Sequence, residues 1–366
     1  ARMLEQIRLM EQMLLRDGAI IEKFFIDVPA KVQKKRLKEI EENQNTGWMV
    51  EKRDWHQNEH YDKYAEVYDK YLQDTNVAGA PWYVIDAEDK KWTRLQVLEV
   101  LCSGIETVLQ NESPAMPLLQ NMFPLIKMPK LSHISLDKTV NEDVYKEELK
   151  SLQHQLNQLQ YGLYCKKIPV IIVYEGWDAA GKGGNIKRIT GALDPRGFEI
   201  HPIASPEPHE KARHYLWRFW THLPNPGTVA IFDRTWYGRV MVERLEGFAR
   251  PHEWQRAYDE IKDMEAQWAE HGIAIAKFWL QIDKDEQYKR FKEREENPFK
   301  NWKITDEDWR NREKWDAYEE AVNEMLVRTD TSYAPWTIVE GNNKYYARLK
   351  VLKTVIDLFE KKLGKD

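Results

Sequence analysis

A glycine-rich loop between a buried strand and a helix constrains the fold of this 366-residue chain most strongly. The run Ile168–Tyr174 is short, β-branched and almost wholly apolar, which is typical of a strand buried on both faces of a parallel sheet. Gly176–Gly184 follows with the pattern G-x-x-x-x-G-K, and a helical stretch begins at Asn185. This order predicts a phosphate-binding loop, and the alternative is a glycine turn that binds no phosphate.

The residue types of this loop suit a phosphate group. Four glycines let backbone N–H groups approach phosphate oxygens closely: Gly176, Gly181, Gly183 and Gly184. The helix N-terminus adds partial positive charge, and Lys182 supplies a mobile cation. The Ser or Thr that commonly follows this lysine and binds Mg²⁺ is absent. We therefore expect Asp178, inside the loop, to bind the metal ion.

A second buried strand ends in another carboxylate. Thr228–Phe232 is apolar and is followed by Asp233, Arg234 and, five residues later, Arg239. A strand that ends in Asp beside a phosphate-loop strand places a carboxylate near Mg²⁺, so Asp178 and Asp233 are the predicted metal ligands. The two arginines suit bidentate phosphate contact, although a surface salt bridge is the alternative for Arg239.

Strand and helix patterns alternate from residue 168 onward. Phe198–Ile203 and Ile273–Ile282 are further strand candidates, and helical stretches are predicted at 208–222, 235–247 and 252–270. This alternation predicts an α/β fold with a doubly wound parallel sheet of the P-loop kinase type.

The segment 284–330 is rich in charged and aromatic residues. Its pattern predicts two helices joined at Asn297-Pro298, which in a nucleotide kinase form a lid that closes over phosphates and excludes water. Three of its cations are candidate phosphate ligands: Arg294, Lys300 and Lys303. The alternative is a solvated helical hairpin.

A repeat relates the two ends of the chain. A shift of 254 positions aligns Ala80-Pro81-Trp82 with Ala334-Pro335-Trp336, and Trp48 with Trp302, without a gap. The first copy retains these aromatic residues but loses three cations, because Ile40, Thr46 and Met49 stand opposite Arg294, Lys300 and Lys303. We interpret the first copy as a scaffold that has lost phosphate-binding charge, and random surface drift is the alternative.

The repeat predicts the domain organisation. Residues 1–110 are expected to be the second half of a degenerate domain, followed by a linker at 111–130 and an intact copy at 131–366. On this interpretation the chain is an N-terminally trimmed piece of a two-domain protein.

Composition excludes several classes of protein. The net charge of −5 argues against broad nucleic-acid binding, and no run of eighteen apolar residues predicts a membrane span. Cys102 and Cys165 are expected to be buried, reduced thiols rather than a disulfide or metal site. Without a signal-peptide pattern, the cytoplasm is the expected location. The sequence leaves homo-oligomerisation open.

Several stretches carry a family resemblance: Glu175–Gly184, Phe232–Val240, the lid from Asn297-Pro298 to Lys303, and Ala334-Pro335-Trp336. They are similar to the polyphosphate kinase 2 family over about residues 131–363. Within that family, two fused copies of which the second is intact characterise the type that phosphorylates AMP.

The resemblance implies Mg²⁺-dependent, reversible transfer of the terminal phosphoryl group of polyphosphate to AMP, which gives ADP. Asp178 and Asp233 would bind Mg²⁺. Three cations would stabilise the transferring group: Lys182, Arg234 and Arg294. Five more would contact phosphate chains or act from the lid: Lys187, Arg188, Arg239, Lys300 and Lys303.

Three alternatives stay open. ADP is a second candidate acceptor. An ATP-dependent nucleoside monophosphate kinase would share the loop, sheet and lid, but Gly183 and the in-loop Asp178 count against it. A non-catalytic scaffold is favoured by the degenerate first copy and disfavoured by the acids and cations that the second copy retains.

Overall fold

The computed structural model of the chain describes residues 2–110 and 128–364. The chain divides into two compact units, Ala1–Leu118 and Leu119–Asp366, hereafter unit 1 and unit 2. Most of the linker predicted at 111–130 lies outside the described residues, and 128–130 leads into a short 3₁₀ turn at Leu131–His133.

Unit 1 contains helices and one parallel pair of strands. In chain order its elements are α1 (Arg2–Arg16), β1 (Lys23–Asp27), α2 (Ala30–Glu42), a 3₁₀ turn (Gly47–Met49), α3 (Lys52–Glu59), α4 (Tyr61–Thr75), β2 (Trp82–Asp86) and α5 (Lys90–Gln110). Lys23 of β1 lies opposite Trp82 of β2.

Unit 2 alternates strands and helices. It begins with α6 (Glu142–Lys166), β3 (Val170–Gly176), α7 (Lys182–Thr190), a 3₁₀ turn (Pro195–Gly197), β4 (Phe198–Pro202), α8 (Pro208–Lys211), α9 (Trp217–Trp220) and β5 (Val229–Asp233). It continues with a 3₁₀ turn (Trp236–Val240), α10 (Val242–Leu245), α11 (Pro251–Glu270), β6 (Ala274–Gln281), α12 (Lys284–Glu295), a 3₁₀ turn (Asn301–Lys303), α13 (Asp306–Glu313), α14 (Trp315–Thr329), β7 (Trp336–Glu340) and α15 (Lys344–Leu363).

The sheet of unit 2 is parallel throughout, with the strand order β4-β5-β3-β6-β7. Every residue of β6 is buried, and because successive side chains of a strand point to opposite faces, both faces of the sheet are covered there. Helices α6, α7 and α15 pack together, and α11 packs on α14. The predicted α/β fold with a doubly wound parallel sheet is confirmed.

The strand order places a ligand crevice at β3. The chain passes from β5 on one side of β3 to β6 on the other, so the direction of winding reverses at this strand. In open α/β sheets, ligands bind outside the carboxyl ends of the strands at such a reversal. The phosphate-loop candidate follows β3 and therefore lies at this position.

The elements of unit 1 coincide with those of the second half of unit 2 after the shift of 254 residues. Strand β2 corresponds to β7, and helices α3 and α4 correspond to α13 and α14, with the same first and last positions in each pair. The same 3₁₀ turn recurs at Gly47–Met49 and Asn301–Lys303. The repeat seen in the sequence is therefore also a repeat of secondary structure.

A lysine contact recurs in both units. Lys23 Nζ donates to Glu11 at 2.8 Å and to the Thr75 carbonyl at 2.7 Å. Lys277 Nζ donates to Glu265 at 2.8 Å and to the Thr329 carbonyl at 2.9 Å, at the equivalent positions. The two units thus hold the first residue of a parallel strand pair in the same way.

Helix α5 of unit 1 exposes an apolar face that its counterpart buries. Leu98 is 58% exposed, whereas the equivalent Leu352 of α15 is fully buried. In unit 2 this face of α15 packs on α6 and α7. Among the described residues, unit 1 has no equivalents of these two helices.

Two predicted helical stretches and the lid differ in detail from the structure. Stretches 208–222 and 235–247 are each divided into short helices and turns, and at Met241 the backbone angles (φ −117°, ψ −91°) are not helical. The segment 284–330 forms α12, α13 and α14 instead of two helices. A capping box at Thr305 starts the additional helix.

The prediction of buried cysteines is wrong. Cys102 and Cys165 are both free and exposed, because each lies on the solvent side of its helix, α5 and α6. Across residues 2–110 and 128–364, none of the helices combines the length and apolar character needed to cross a membrane.

Candidate active site

The loop after β3 has the backbone geometry that a phosphate cradle needs. Gly176 has φ +151°, and a Cβ there would lie 2.7 Å from the Leu280 carbonyl oxygen, so only glycine fits. Ala179 and Gly181 also adopt positive φ angles, of 63° and 111°. Helix α7 begins at Lys182, directly after this turn, and directs its N-terminal amides toward the loop.

Lys182 lies folded over the loop that precedes it. Its Nζ donates to the Gly176 carbonyl at 2.7 Å and more weakly to the Trp177 carbonyl at 3.4 Å. The next residue, Gly183, has no atom within 4 Å of where a Cβ would stand. Packing therefore leaves room for a Ser or Thr at Gly183, and the loop lacks that hydroxyl for a reason other than space.

The carboxylate of Asp178 is held by the lid helices. Asn311 Nδ2 of α13 donates to Asp178 Oδ2 at 3.2 Å, and Gln287 of α12 donates to the Asp178 carbonyl at 3.1 Å. Asn311 Oδ1 in turn accepts a hydrogen bond from the Tyr318 hydroxyl at 3.4 Å. Burial raises the pKa of Tyr318, so this hydroxyl keeps its proton and remains a donor.

Stacked indoles brace the same loop. The rings of Trp177 and Trp315 lie almost parallel, with centroids 3.7 Å apart. The Trp177 indole N–H also donates to Gln281 Oε1 at 2.9 Å. Because Trp177 immediately precedes Asp178, this packing fixes the backbone from which the carboxylate projects.

The second acid lies at the end of the neighbouring strand. Asp233 of β5 lies opposite Tyr174 of β3, and the Arg234 amide donates to the Tyr174 carbonyl at 3.2 Å. Arg234 has φ +66°, a left-handed conformation that is uncommon for a residue with a side chain and is concentrated at functional sites. The exposed Arg234 thus projects from a sharp turn at the carboxyl edge of the sheet.

A buried carboxyl group lies behind the loop. Burial raises the pKa of Glu175 to about 7, although Lys182, the Thr235 hydroxyl and Arg234 all act to lower it. Thr235 Oγ1 donates to Glu175 Oε1 at 2.8 Å. The sequence gave no indication of this group, because a single Glu at the end of a strand has no distinguishing pattern.

A basic cavity adjoins the other side of the loop. Its volume is about 260 Å³, and the loop residues Ala179, Ala180 and Gly181 form part of its wall. Six cations line it: Arg290, Arg294, Lys300, Lys303, Lys344 and Arg348. Glu293 is the one acid in the lining.

Half of these cations were predicted from the sequence. Arg294, Lys300 and Lys303 lie in the cavity wall as expected for the lid. Arg290, Lys344 and Arg348 were missed. A usable signal was present, since the cations Arg36, Lys90 and Arg94 occupy the equivalent positions of unit 1.

Arg290 ties three segments of the site together. Its guanidinium donates to the carbonyls of Ala179 and Ala180, both at 3.0 Å, and to those of Gly341 at 2.6 Å and Asn342 at 3.0 Å. Its side chain is 3% exposed, and Nε pairs with a glutamate of its own helix. Arg290 therefore fixes the phosphate loop to α12 and to the loop after β7.

Three weaker candidates lie outside this cavity wall. Lys187 is exposed on α7, and Arg188 donates to the Gly184 carbonyl at 3.3 Å. Arg239 pairs with Glu243 at 3.0 Å and lies over the Tyr215 ring at 4.3 Å, in agreement with the salt-bridge alternative. Their phosphate contacts remain predictions.

The aromatic residues after Arg234 support the site from the core. Trp236 and Tyr237 are buried, and both donate to Glu265 Oε1, at 3.0 Å and 2.6 Å. Glu265 is paired with the fully buried Lys277. This network anchors the turn that carries Asp233 and Arg234 to the centre of unit 2.

Comparisons with known proteins cover both units. The family model described as polyphosphate kinase 2 matches residues 1–113 and 139–366. A relative from Pseudomonas aeruginosa named polyphosphate:AMP phosphotransferase is 44% identical over 362 residues, which are 97% of this chain and 72% of the relative. A Rhizobium meliloti relative named ADP-polyphosphate phosphotransferase 2 is 40% identical over 57% of this chain and 68% of its own length.

A solved structure agrees with these matches. The crystal structure of a polyphosphate kinase 2 from Pseudomonas aeruginosa PA01 is 42% identical and has a TM-score of 0.82, and the match covers 99% of this chain and 72% of that one. The family model and these relatives confirm the resemblance read from the loop, the Asp233 turn and the lid. The chain belongs to the polyphosphate kinase 2 family.

Proposed function

We propose that this chain transfers the terminal phosphoryl group of inorganic polyphosphate to AMP, giving ADP. The basic cavity beside the phosphate loop carries the proposal. Six cations surround about 260 Å³ in a chain whose net charge is −5, so positive charge is concentrated locally. A chain of phosphates, with about one negative charge each, matches this density better than the single phosphate of AMP does.

The choice of acceptor is supported by the extent of the matches. The relative named for AMP aligns with 97% of the chain, including unit 1. The relative named for ADP aligns with 57% of it. The presence of two related units therefore favours AMP.

Kinases of this type require a divalent metal ion, and we propose Mg²⁺ held by Asp178 and Asp233. Carboxylate oxygens are the ligands that Mg²⁺ prefers. The two acids follow adjacent strands, and Asp178 is already oriented by Asn311. When bound, the ion would neutralise charge on the phosphate oxygens.

The protein groups act by position and charge. Loop amides and Lys182 would hold the phosphate chain, and Arg234 and Arg294 would approach the transferring group. An AMP phosphate oxygen forms the new P–O bond while the terminal anhydride bond breaks, and the shortened polyphosphate leaves with the electron pair. Lid helices α12 and α13 would exclude water that competes with AMP.

A donor and acceptor panel tests the proposal. Purified chain is supplied with polyphosphate or ATP as donor and with AMP or ADP as acceptor, and products are separated by chromatography. We expect ADP from polyphosphate and AMP, and a far lower rate with ATP as donor. A Lys182→Met preparation made in parallel controls for contaminating kinases. AMP phosphorylation that proceeds as fast with ATP as with polyphosphate would refute the assignment.

A further inference from the structure

A cluster of two imidazoles and a carboxylate lies in unit 1, apart from the catalytic elements. His56, Glu59 and His60 occupy the last turn of α3 and the residue that follows it. The spacing of three and four residues places their side chains on one side of the helix. Their ligand atoms all lie within 4.8 Å of one another.

The histidines are arranged as metal ligands are. Their ring centroids lie 4.3 Å apart. His60 Nδ1 lies 3.0 Å from the His56 carbonyl oxygen, and because a carbonyl only accepts, Nδ1 carries the hydrogen. In the neutral ring this leaves the Nε2 lone pair available. A backbone carbonyl that fixes the tautomer in this way is the usual second partner of a metal-binding histidine.

The donor set selects a class of metal. Two imidazole nitrogens and one carboxylate oxygen suit Zn²⁺ and similar divalent transition ions better than Mg²⁺. Zn–N bonds of about 2.0–2.1 Å place two ligands of a tetrahedral ion about 3.3 Å apart, so rotamer changes suffice to close the cluster. His56 and Glu59 are exposed, which gives an ion direct access from solvent.

The equivalent positions of unit 2 cannot form such a site. Arg310 and Lys314 stand where unit 1 has the two histidines, and only the acid is retained, as Glu313. Lys314 pairs there with Glu246 at 2.7 Å. The same turn of the fold therefore carries repelling cations in one unit and metal ligands in the other.

We propose that His56, Glu59 and His60 form a binding site for Zn²⁺ or a similar divalent transition ion. The remaining coordination positions would be filled by water. The ion would link the last turn of α3 to the residue from which α4 starts. The inference is independent of the phosphotransferase activity.

Calorimetric titration with Zn²⁺ tests the site. The full chain, without a histidine tag and stripped with EDTA, is titrated in excess Mg²⁺, which occupies oxygen-ligand sites and binds imidazole weakly. We expect one site in the unsubstituted chain, with at least tenfold weaker binding in His56→Gln/His60→Gln. The control His154→Gln/His252→Gln removes two exposed histidines of unit 2 and should leave binding unchanged.

Two results would overturn the proposal. One is an isotherm for His56→Gln/His60→Gln that matches the unsubstituted chain. The other is an equal loss of binding in the His154→Gln/His252→Gln control. Circular dichroism of each variant verifies that helix content is retained, which is expected because the substituted side chains lie at the surface or partly exposed.

Discussion

The buried Glu175 makes the stability of unit 2 depend on pH in a defined direction. Burial raises the pKa of this carboxyl group from 4.5 to about 7 in the folded chain. Between these values the folded state holds a proton that the unfolded state has released. The free energy of unfolding contributed by this group is therefore highest below pH 4.5 and falls as the pH rises toward 7.

The difference in pKa sets the size of the effect. A shift of about 2.5 units at about 1.4 kcal/mol per unit corresponds to about 3 kcal/mol of lost stability at pH 8. Glu175→Gln removes this loss, because glutamine is neutral and its Oε1 can still accept from the Thr235 hydroxyl. The stability of Glu175→Gln relative to the unsubstituted chain should therefore rise by about 3 kcal/mol between pH 4.5 and pH 8.

Urea unfolding at several pH values measures this difference. The matched control is Glu340→Gln, a carboxyl group that is also 6% exposed. Burial acts to raise the pKa of Glu340, but hydrogen bonds from Lys350 and Lys138 outweigh it and lower the pKa. Its effect on stability should be constant between pH 5 and pH 8. Parallel curves for Glu175→Gln and the unsubstituted chain over this range would refute the reasoning.

Three further substitutions separate the roles of the site residues. Arg290→Lys removes most of the contacts to four carbonyls and should lower kcat by more than tenfold with the fold retained, as measured by initial rates and circular dichroism. Asn311→Leu frees the Asp178 carboxylate and should raise the Mg²⁺ concentration required for half-maximal rate by about tenfold; an unchanged requirement contradicts the positioning role. Lys300→Gln/Lys303→Gln should raise KM for polyphosphate and flatten its logarithmic dependence on salt by about two; an unaltered salt slope would place these lysines outside the binding site.

Local sequence signals were sufficient for the sheet and the loop. The strand around Ile171 is recognisable because a short β-branched run is buried on both faces, and Gly176 is recognisable because the backbone there excludes any side chain. The repeat added the register of the lid, since rare tryptophans such as Trp302 fix the alignment. These features depend on residues close in sequence or on a second copy within the chain.

Other features depend on tertiary contacts and were not predictable. Arg290 is one of many charged residues on α12, and only the fold shows that it meets the carbonyls of Ala179 and Gly341. The exposure of Cys165 follows from which side of α6 packs on α15. The residues after Arg234 were read as a family signature, whereas in the structure Tyr237 is a core residue bonded to Glu265.

The claim that two acids at the carboxyl edge of the sheet carry phosphoryl transfer is tested most directly by Asp178→Asn. Phosphorus NMR of polyphosphate and AMP, followed over time with the unsubstituted chain and with this variant, reports ADP formation. Asn keeps the shape and the Asn311 contact but removes the charge that holds the metal ion. The account predicts that ADP formation falls at least a hundredfold while polyphosphate binding persists; transfer at the unsubstituted rate would contradict it.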